Sequence, residues 1–234
     1  MKILITGSNG FIGGNLRDFY LKSDKKIFTP KRNELDLLNK EKVSDYLLTN
    51  QFDIVIHSAV TLTSIEENIK MYFNLEACSK HYGKLICIGS GAEYDKNHYI
   101  PKMQESYFDK FIPSKEDIYG YSKYIIAKDI IDKSKNIFNL RLFGIFGKYE
   151  DHRRRLISNN ICKKLCGEKV SINKNGYFDY MYIDDFCLIL DKFITQKPRQ
   201  NTYNVCTGKI VDFITIAKII NNIEYNGEDI EVKH

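Results

Sequence analysis

Apolar and polar positions change period repeatedly along this 234-residue chain. Residues 2–6 form a short β-branched apolar run, after which Phe11, Ile12, Leu16, Phe19 and Tyr20 recur at helical spacing. Further strand-like runs lie at 26–29, 54–57, 85–88 and 138–143, separated by helical patterns at 40–48, 65–81 and 119–132. This alternation predicts an α/β fold, a parallel sheet with helices on both faces. Beyond Gly147 the texture shifts to charged loops, short strand-like runs at 171–172, 180–183 and 202–205, and a last helical pattern at 214–220.

Between the first strand and the first helix lie Gly7-Ser8-Asn9-Gly10-Phe11-Ile12-Gly13. A strand, a glycine-rich turn and a helix start form a dinucleotide cradle. Gly7 can take a turn conformation closed to larger residues, Gly10 lets backbone N–H groups approach a pyrophosphate, and Gly13 lets the helix pack on the strand. A second motif, Tyr119-Gly120-Tyr121-Ser122-Lys123, sets a phenol and an ammonium one helical turn apart, where the cation favours a phenol that gives and takes protons. The same spacing recurs at Tyr124 and Lys128. Tyr124 sits among Ile125, Ile126, Ile130 and Ile131 and reads as core, whereas Tyr119 opens its helix after a polar loop, so chemistry is expected at Tyr119 and Lys123.

Composition narrows the class. With 43% hydrophobic residues the chain can bury one large core, and no apolar run is long enough to span a membrane or resembles a secretion signal, so a cytoplasmic protein without a membrane partner is expected. The net charge of +5 suits anionic small molecules. Nucleic acid is not expected, because the basic residues are not interleaved with aromatics along one face. Six scattered cysteines with no C-x-x-C pair read as reduced core residues with no metal site.

These blocks, with Ile54-Val55-Ile56-His57-Ser58-Ala59, Ile88-Gly89-Ser90-Gly91-Ala92-Glu93-Tyr94, Arg141-Leu142-Phe143-Gly144-Ile145-Phe146-Gly147 and Phe178-Asp179-Tyr180-Met181-Tyr182-Ile183-Asp184-Asp185, resemble the extended short-chain dehydrogenase/reductases, which act mostly on nucleotide-linked sugars. Residues 31–53 look most like the GDP-fucose synthase branch. The resemblance implies a doubly wound Rossmann domain over 1–147. Over 148–234 it implies a small, shortened substrate lobe together with the last Rossmann elements. It implies a homodimer, and an NAD(P)-dependent oxidoreductase or epimerase of nucleoside-diphosphate sugars in surface polysaccharide synthesis. A non-catalytic NAD(P)-binding regulator or partner subunit of the same fold is the alternative.

Carried across residue by residue, the resemblance makes Tyr119 the general acid/base, Lys123 the ribose-binding cation beside it, and Ser90 a donor to the reacting sugar oxygen. It implies cofactor contacts at Gly7, Ser8, Asn9, Gly10, Phe11, Ile12, Asp36, Leu37, Ser58, Ala59 and Leu142, besides Tyr119 and Lys123. Substrate contacts are expected at Ser90, Gly91, His152 and Arg153. Where an NAD enzyme usually offers a carboxylate to the ribose, this chain offers Lys31 and Arg32, so NADP is expected, with NAD possible. Dehydratases of the family carry an Asp-Glu pair where Gly91 and Ala92 stand, and a strand-like path turns Glu93 to the other face, so a 4,6-dehydratase is disfavoured. His57 is expected to be structural, as are Asp184 and Asp185.

Overall fold

The computed structural model describes residues 1–132 and 136–223; the end of the expected 148–234 segment lies outside them. Strand β1 (Lys2–Thr6) leads to α1 (Phe11–Tyr20), β2 (Lys26–Phe28), α2 (Lys40–Asn50), β3 (Phe52–His57), α3 (Ile65–Glu76) and β4 (Tyr82–Ser90). After α4 (Ile118–Asp132) and β5 (Ile137–Leu142) come β6 (Gly144–Phe146), α5 (Leu156–Leu165), β7 (Tyr177–Tyr182) and α6 (Ile183–Thr195). The described chain closes with β8 (Thr202–Val205), β9 (Ile210–Asp212) and α7 (Phe213–Asn221).

Six strands form one parallel sheet in the order β2-β1-β3-β4-β5-β8. Side chains alternate across it. Ile3, Ile5, Ile54, Ile56, Ile86 and Ile88 face Leu16 and Tyr20 of α1 and Phe186 and Leu190 of α6. Leu4, Val55 and Leu85 face the other way, onto Val43 and Leu47 of α2, Tyr72 and Leu75 of α3, and Ile126 and Ile130 of α4. Burial on both faces is why these strands read as unbroken apolar runs. The chain passes from β2 across β1 to β3, and this reversal of strand order opens a crevice at the carboxyl ends of β1 and β3.

After β5 the path leaves this sheet. Strands β6, β7 and β9 make a second, smaller one, in which Ile157 of α5 and Ile216 and Ile220 of α7 pack with Phe146, Tyr180 and Phe213. Helix α6 returns to the first core and β8 pairs with β5. The fold is thus a doubly wound Rossmann-type sheet carrying a small lobe. No helix among the described residues is long and apolar enough to cross a membrane.

Two expected elements differ. The helical pattern at 65–81 breaks after Glu76, where the Cys78 N–H turns back to Leu75 O, and only a single tight turn follows at Ser79–His81. The run at 171–172 is no strand: its Ser171 N–H is satisfied by the Asn160 side chain (2.8 Å), which removes the need for a strand neighbour.

Candidate active site

The crevice between β1 and β3 is a cleft of about 260 Å³. Gly7, Ser8, Asn9 and Gly10 form one wall, Lys31, Arg32, Asp36 and Leu37 the segment after β2, and Ala59 the end of β3. Gly7 has φ +70°, and a Cβ there would lie 2.6 Å from the Ala59 nitrogen. A Cβ on Gly13 would lie 2.3 Å from the Gly7 carbonyl oxygen. Backbone therefore lies directly on backbone. Gly10 caps α1 with no side chain, and no first-turn acid competes, which leaves the opening amides of the helix free for an anion. A dinucleotide pyrophosphate fits this cradle.

Six other expected contacts lie off the cleft wall, Tyr119 and Lys123 among them. Phe11 and Ile12 pack half-buried against the core, and Leu142 is buried in it. The Ser58 hydroxyl donates to Thr6 O (2.6 Å), stitching β3 to β1. Residues that no motif singled out also line it, among them Leu35 and Leu38 after β2, Val60 and Thr61 beyond β3, and Glu67 and Met71 on α3. Arg32 is three-quarters exposed at the rim, 3.9 Å from Asp36, and Lys31 is exposed beside it.

The three residues expected to be catalytic lie on β4 and on the helix that starts over its end. Ser90 is the last residue of β4, and its Oγ accepts the Ala92 N–H (3.2 Å). Helix α4 starts over that turn, where Asp117 accepts the Gly120 N–H (3.0 Å) and pairs with Lys96 (2.5 Å). Gly120 lies so close to the turn that a Cβ would meet Ala92 O at 2.7 Å. This contact sets the start of α4 against the turn, with Tyr119 half-exposed and Lys123 nearly buried. The Lys123 Nζ donates to Ile88 O (2.6 Å) and lies 5.8 Å from the Tyr119 ring centre. Asn68 of α3 holds α4 from the other side, donating to Ser122 Oγ at 3.0 Å and to Thr61 O at 2.8 Å.

The competing spacing has a different environment. Tyr124 is buried, its hydroxyl donates to Asp109, and Lys128 pairs with the same carboxylate (2.5 Å), so both fasten a surface loop. His57 is buried against Thr6 Oγ1 (2.9 Å). Burial, reinforced by the Lys123 cation, holds its imidazole down at about 3, and it stays neutral.

A polar network below Ser90 has one local sequence signal, the capping-box spacing of Ser90 and Glu93; its other members come from distant strands. Glu93 and Arg141 are fully buried and paired, Nε to Oε2, at 2.6 Å. The same carboxylate accepts Asn139 Nδ2 (2.8 Å) and the Ser90 N–H (2.8 Å). Arg141 also donates to Tyr94 OH and Asn204 Oδ1.

Toward the small lobe the Phe143 ring covers Gly91, where a Cβ would meet it at 2.7 Å. From Phe143 a cleft of about 330 Å³ runs past Phe146, Phe178, Tyr180 and Phe213 to Arg154 and Arg155. These two arginines also border a cleft of about 280 Å³ with Arg153 and Lys163. His152 is exposed and lines neither. Asp184 and Asp185 are exposed in the first turn of α6, where negative charge complements the helix dipole.

The family model described as the NAD dependent epimerase/dehydratase family matches residues 3–206. GDP-L-colitose synthase of Yersinia pseudotuberculosis is 26% identical over 95% of this chain and 82% of its own length. GDP-L-fucose synthase of Azorhizobium caulinodans is 27% identical over 97% of this chain and 82% of its own. Among solved structures, GDP-mannoheptose C4 reductase from Campylobacter jejuni with NADP bound superposes with a TM-score of 0.79 at 16% identity, over 94% of this chain and 84% of that one. The dTDP-glucose 4,6-dehydratase from Bacillus anthracis, in complex with NAD, gives 0.77 at 17% identity, over 94% and 80%. At these identities the structures speak for the fold.

Proposed function

This chain belongs to the NAD dependent epimerase/dehydratase family, and we propose that it is an NAD(P)-dependent reductase or epimerase of a nucleoside-diphosphate sugar serving surface polysaccharide synthesis. The observation that supports the reading is the placement of Ser90 at the carboxyl end of β4, of Lys123, whose Nζ donates to Ile88 O of the same strand, and of Tyr119 on the helix that starts over that turn. A dinucleotide held by the glycine-rich cradle would supply hydride exchange with a sugar carbon. Tyr119 gives the proton to the sugar oxygen in reduction and takes it in oxidation. Lys123 lends that phenol a neighbouring positive charge and holds the ribose. Ser90 donates to the sugar oxygen and fixes the reacting carbon against the hydride path.

Dehydration has no acid at this turn. Gly91 and Ala92 carry none, and both oxygens of Glu93 are engaged with Ser90 N–H, Asn139 and Arg141. Arg153, Arg154 and Arg155 supply guanidinium forks for the diphosphate, with His152 in the same loop. Lys31 and Arg32 suit a 2′-phosphate, which favours NADP. The six cysteines carry no disulfide, and although Cys166 and Cys206 are exposed and not core as expected, free thiols fit the reducing cytoplasm; a homodimer completes the proposal.

The test is direct. Purified protein is titrated with NADPH and NADH, then given a GDP-linked 4-keto-6-deoxyhexose. NADPH should bind about tenfold tighter or better, as two extra charge-assisted contacts imply. Stoichiometric NADPH consumption marks a reductase, and isomer formation without net consumption marks an epimerase. Tyr119→Phe should lower kcat by about 10²–10⁴ with dinucleotide affinity unchanged. A protein that binds neither dinucleotide refutes the enzyme reading, and one that binds NADPH but converts no keto-sugar is the partner-subunit alternative.

A further inference from the structure

Glu93 is fully buried, yet it belongs to a three-residue turn whose first residue is Ser90. One carboxylate oxygen accepts the Ser90 N–H at 2.8 Å. The other accepts from two side chains of β5, Asn139 Nδ2 at 2.8 Å and Arg141 Nε at 2.6 Å. The backbone is kept bare for the carboxylate: a Cβ on Gly89 would lie 2.3 Å from Glu93 Oε1 and 2.2 Å from Asn139 Oδ1. Arg141 is in turn fixed by Tyr94 OH at 2.8 Å and Asn204 Oδ1 at 2.9 Å, and its guanidinium carbon lies 4.6 Å from the Tyr94 ring centre and 4.9 Å from that of Phe108.

Stability does not account for this arrangement. A buried ion pair roughly breaks even against well-packed apolar residues of the same volume, because desolvation offsets the attraction. An apolar pair between β4 and β5 would fill the space, but it would offer the Ser90 N–H no acceptor. What the carboxylate adds is a fixed position for that amide, and with it for the Cα and hydroxyl of Ser90.

We propose that Glu93 is a positioning residue: it clamps the turn that presents Ser90 to β5, so that the hydroxyl meets the sugar oxygen at one distance and angle. The proposal rests on the role given to Ser90 above, and the experiment separates the two. Removing Glu93 alone strands a buried Arg141 charge and endangers folding, so two neutral pairs are compared. Glu93→Gln/Arg141→Met keeps an amide oxygen for the Ser90 N–H; Glu93→Leu/Arg141→Met removes the acceptor. Both are measured for NADPH affinity, for kcat and KM on a GDP-linked 4-keto-6-deoxyhexose, and for hydrogen exchange at the Ser90 amide, each with and without Ser90→Ala.

The expected result is unchanged NADPH affinity in both, near-normal kcat in the Gln pair, and a fall of about a hundredfold in the Leu pair, the scale set by ångström misplacement of a reacting group. The Ser90 amide should exchange faster in the Leu pair alone, and the kcat difference between the pairs should vanish in the Ser90→Ala background. Equal losses in both pairs, or a difference that persists without the Ser90 hydroxyl, overturn the proposal. If the wild type converts no keto-sugar, it is the functional reading that fails. The exchange data then decide the clamp alone, with equal Ser90 rates in the two pairs counting against it.

Discussion

A single residue can report on the state of the whole site, and His57 does so through pH. It is buried in β3 beside Thr6, and burial, with Lys123 nearby, lowers it to about 3. An unfolded histidine titrates near 6.5, so between these values the unfolded chain binds a proton that the folded chain refuses. Stability contributed by the neutral ring is fully present above pH 6.5 and is lost as pH falls toward 3. Unfolding free energy from urea titrations should drop by about 2 kcal/mol from this group between pH 7 and pH 5, and His57→Asn should flatten that slope. An unchanged slope in the variant would show that His57 takes up its proton as readily in the fold as in the unfolded chain. The sequence marked His57 as structural because it ends an apolar strand. Its neighbour Lys123 is 66 positions away, and nothing local revealed that the two charges compete.

At the scale of elements, α1 carries the sharpest prediction, because two opposing magnitudes meet at adjacent glycines. Replacing an interior helical glycine with alanine gains roughly 1 kcal/mol of helix propensity. At Gly13 the new methyl would lie 2.3 Å from Gly7 O and 2.6 Å from Ser58 Oγ, and backbone cannot yield as a side chain does. At Gly14 the nearest atom is Tyr149 Cδ2, at 3.2 Å, on a ring that can shift. Overpacking costs about 1–3 kcal/mol or more. Gly13→Ala should therefore destabilise by about 2 kcal/mol in denaturant melts and weaken dinucleotide binding, whereas Gly14→Ala should be close to neutral. Equal effects at both would mean that the loop is looser than its contacts imply. The glycine motif was legible because every part of it is local: strand, turn and helix start occupy thirteen consecutive residues. The Glu93 clamp was only half legible: Ser90 and Glu93 stand at capping-box spacing, but Arg141 lies 48 positions away. The break after Glu76 escaped notice for a similar reason, as apolar spacing continues through Cys78 while the backbone already turns.

At the scale of the molecule, the two sheets share the chain passing from β5 to β6, and the loop after β6 is tied back to α1. Asp18 accepts from Tyr149 OH (2.7 Å) and pairs with Lys148 (3.0 Å) and Arg17 (3.0 Å). Asn15 Nδ2 holds Lys148 O at 2.7 Å. The Tyr149 hydroxyl, then Lys148 and Arg17, keep the Asp18 carboxyl well below the usual carboxylate range, so the tie persists in mild acid. From this anchored segment the chain runs directly into Arg153, which borders one cleft toward the small lobe, and Arg154 and Arg155, which border both. Alternating periodicity foretold two regions, but a tie made from residues 130 apart has no sequence signature. Exposed ion pairs of this kind contribute about 0–1 kcal/mol, so Asp18→Asn should barely move the melting temperature. It should instead loosen the arginine segment: KM for the nucleotide sugar should rise several-fold, roughly 1 kcal/mol of binding, while kcat and NADPH affinity stay within twofold. The split between KM and cofactor affinity carries the decision. If NADPH binding weakens equally, Asp18 acts through Arg17, whose Nη1 also donates to Ser8 O in the glycine-rich loop at 3.2 Å, and the tie serves the dinucleotide side instead.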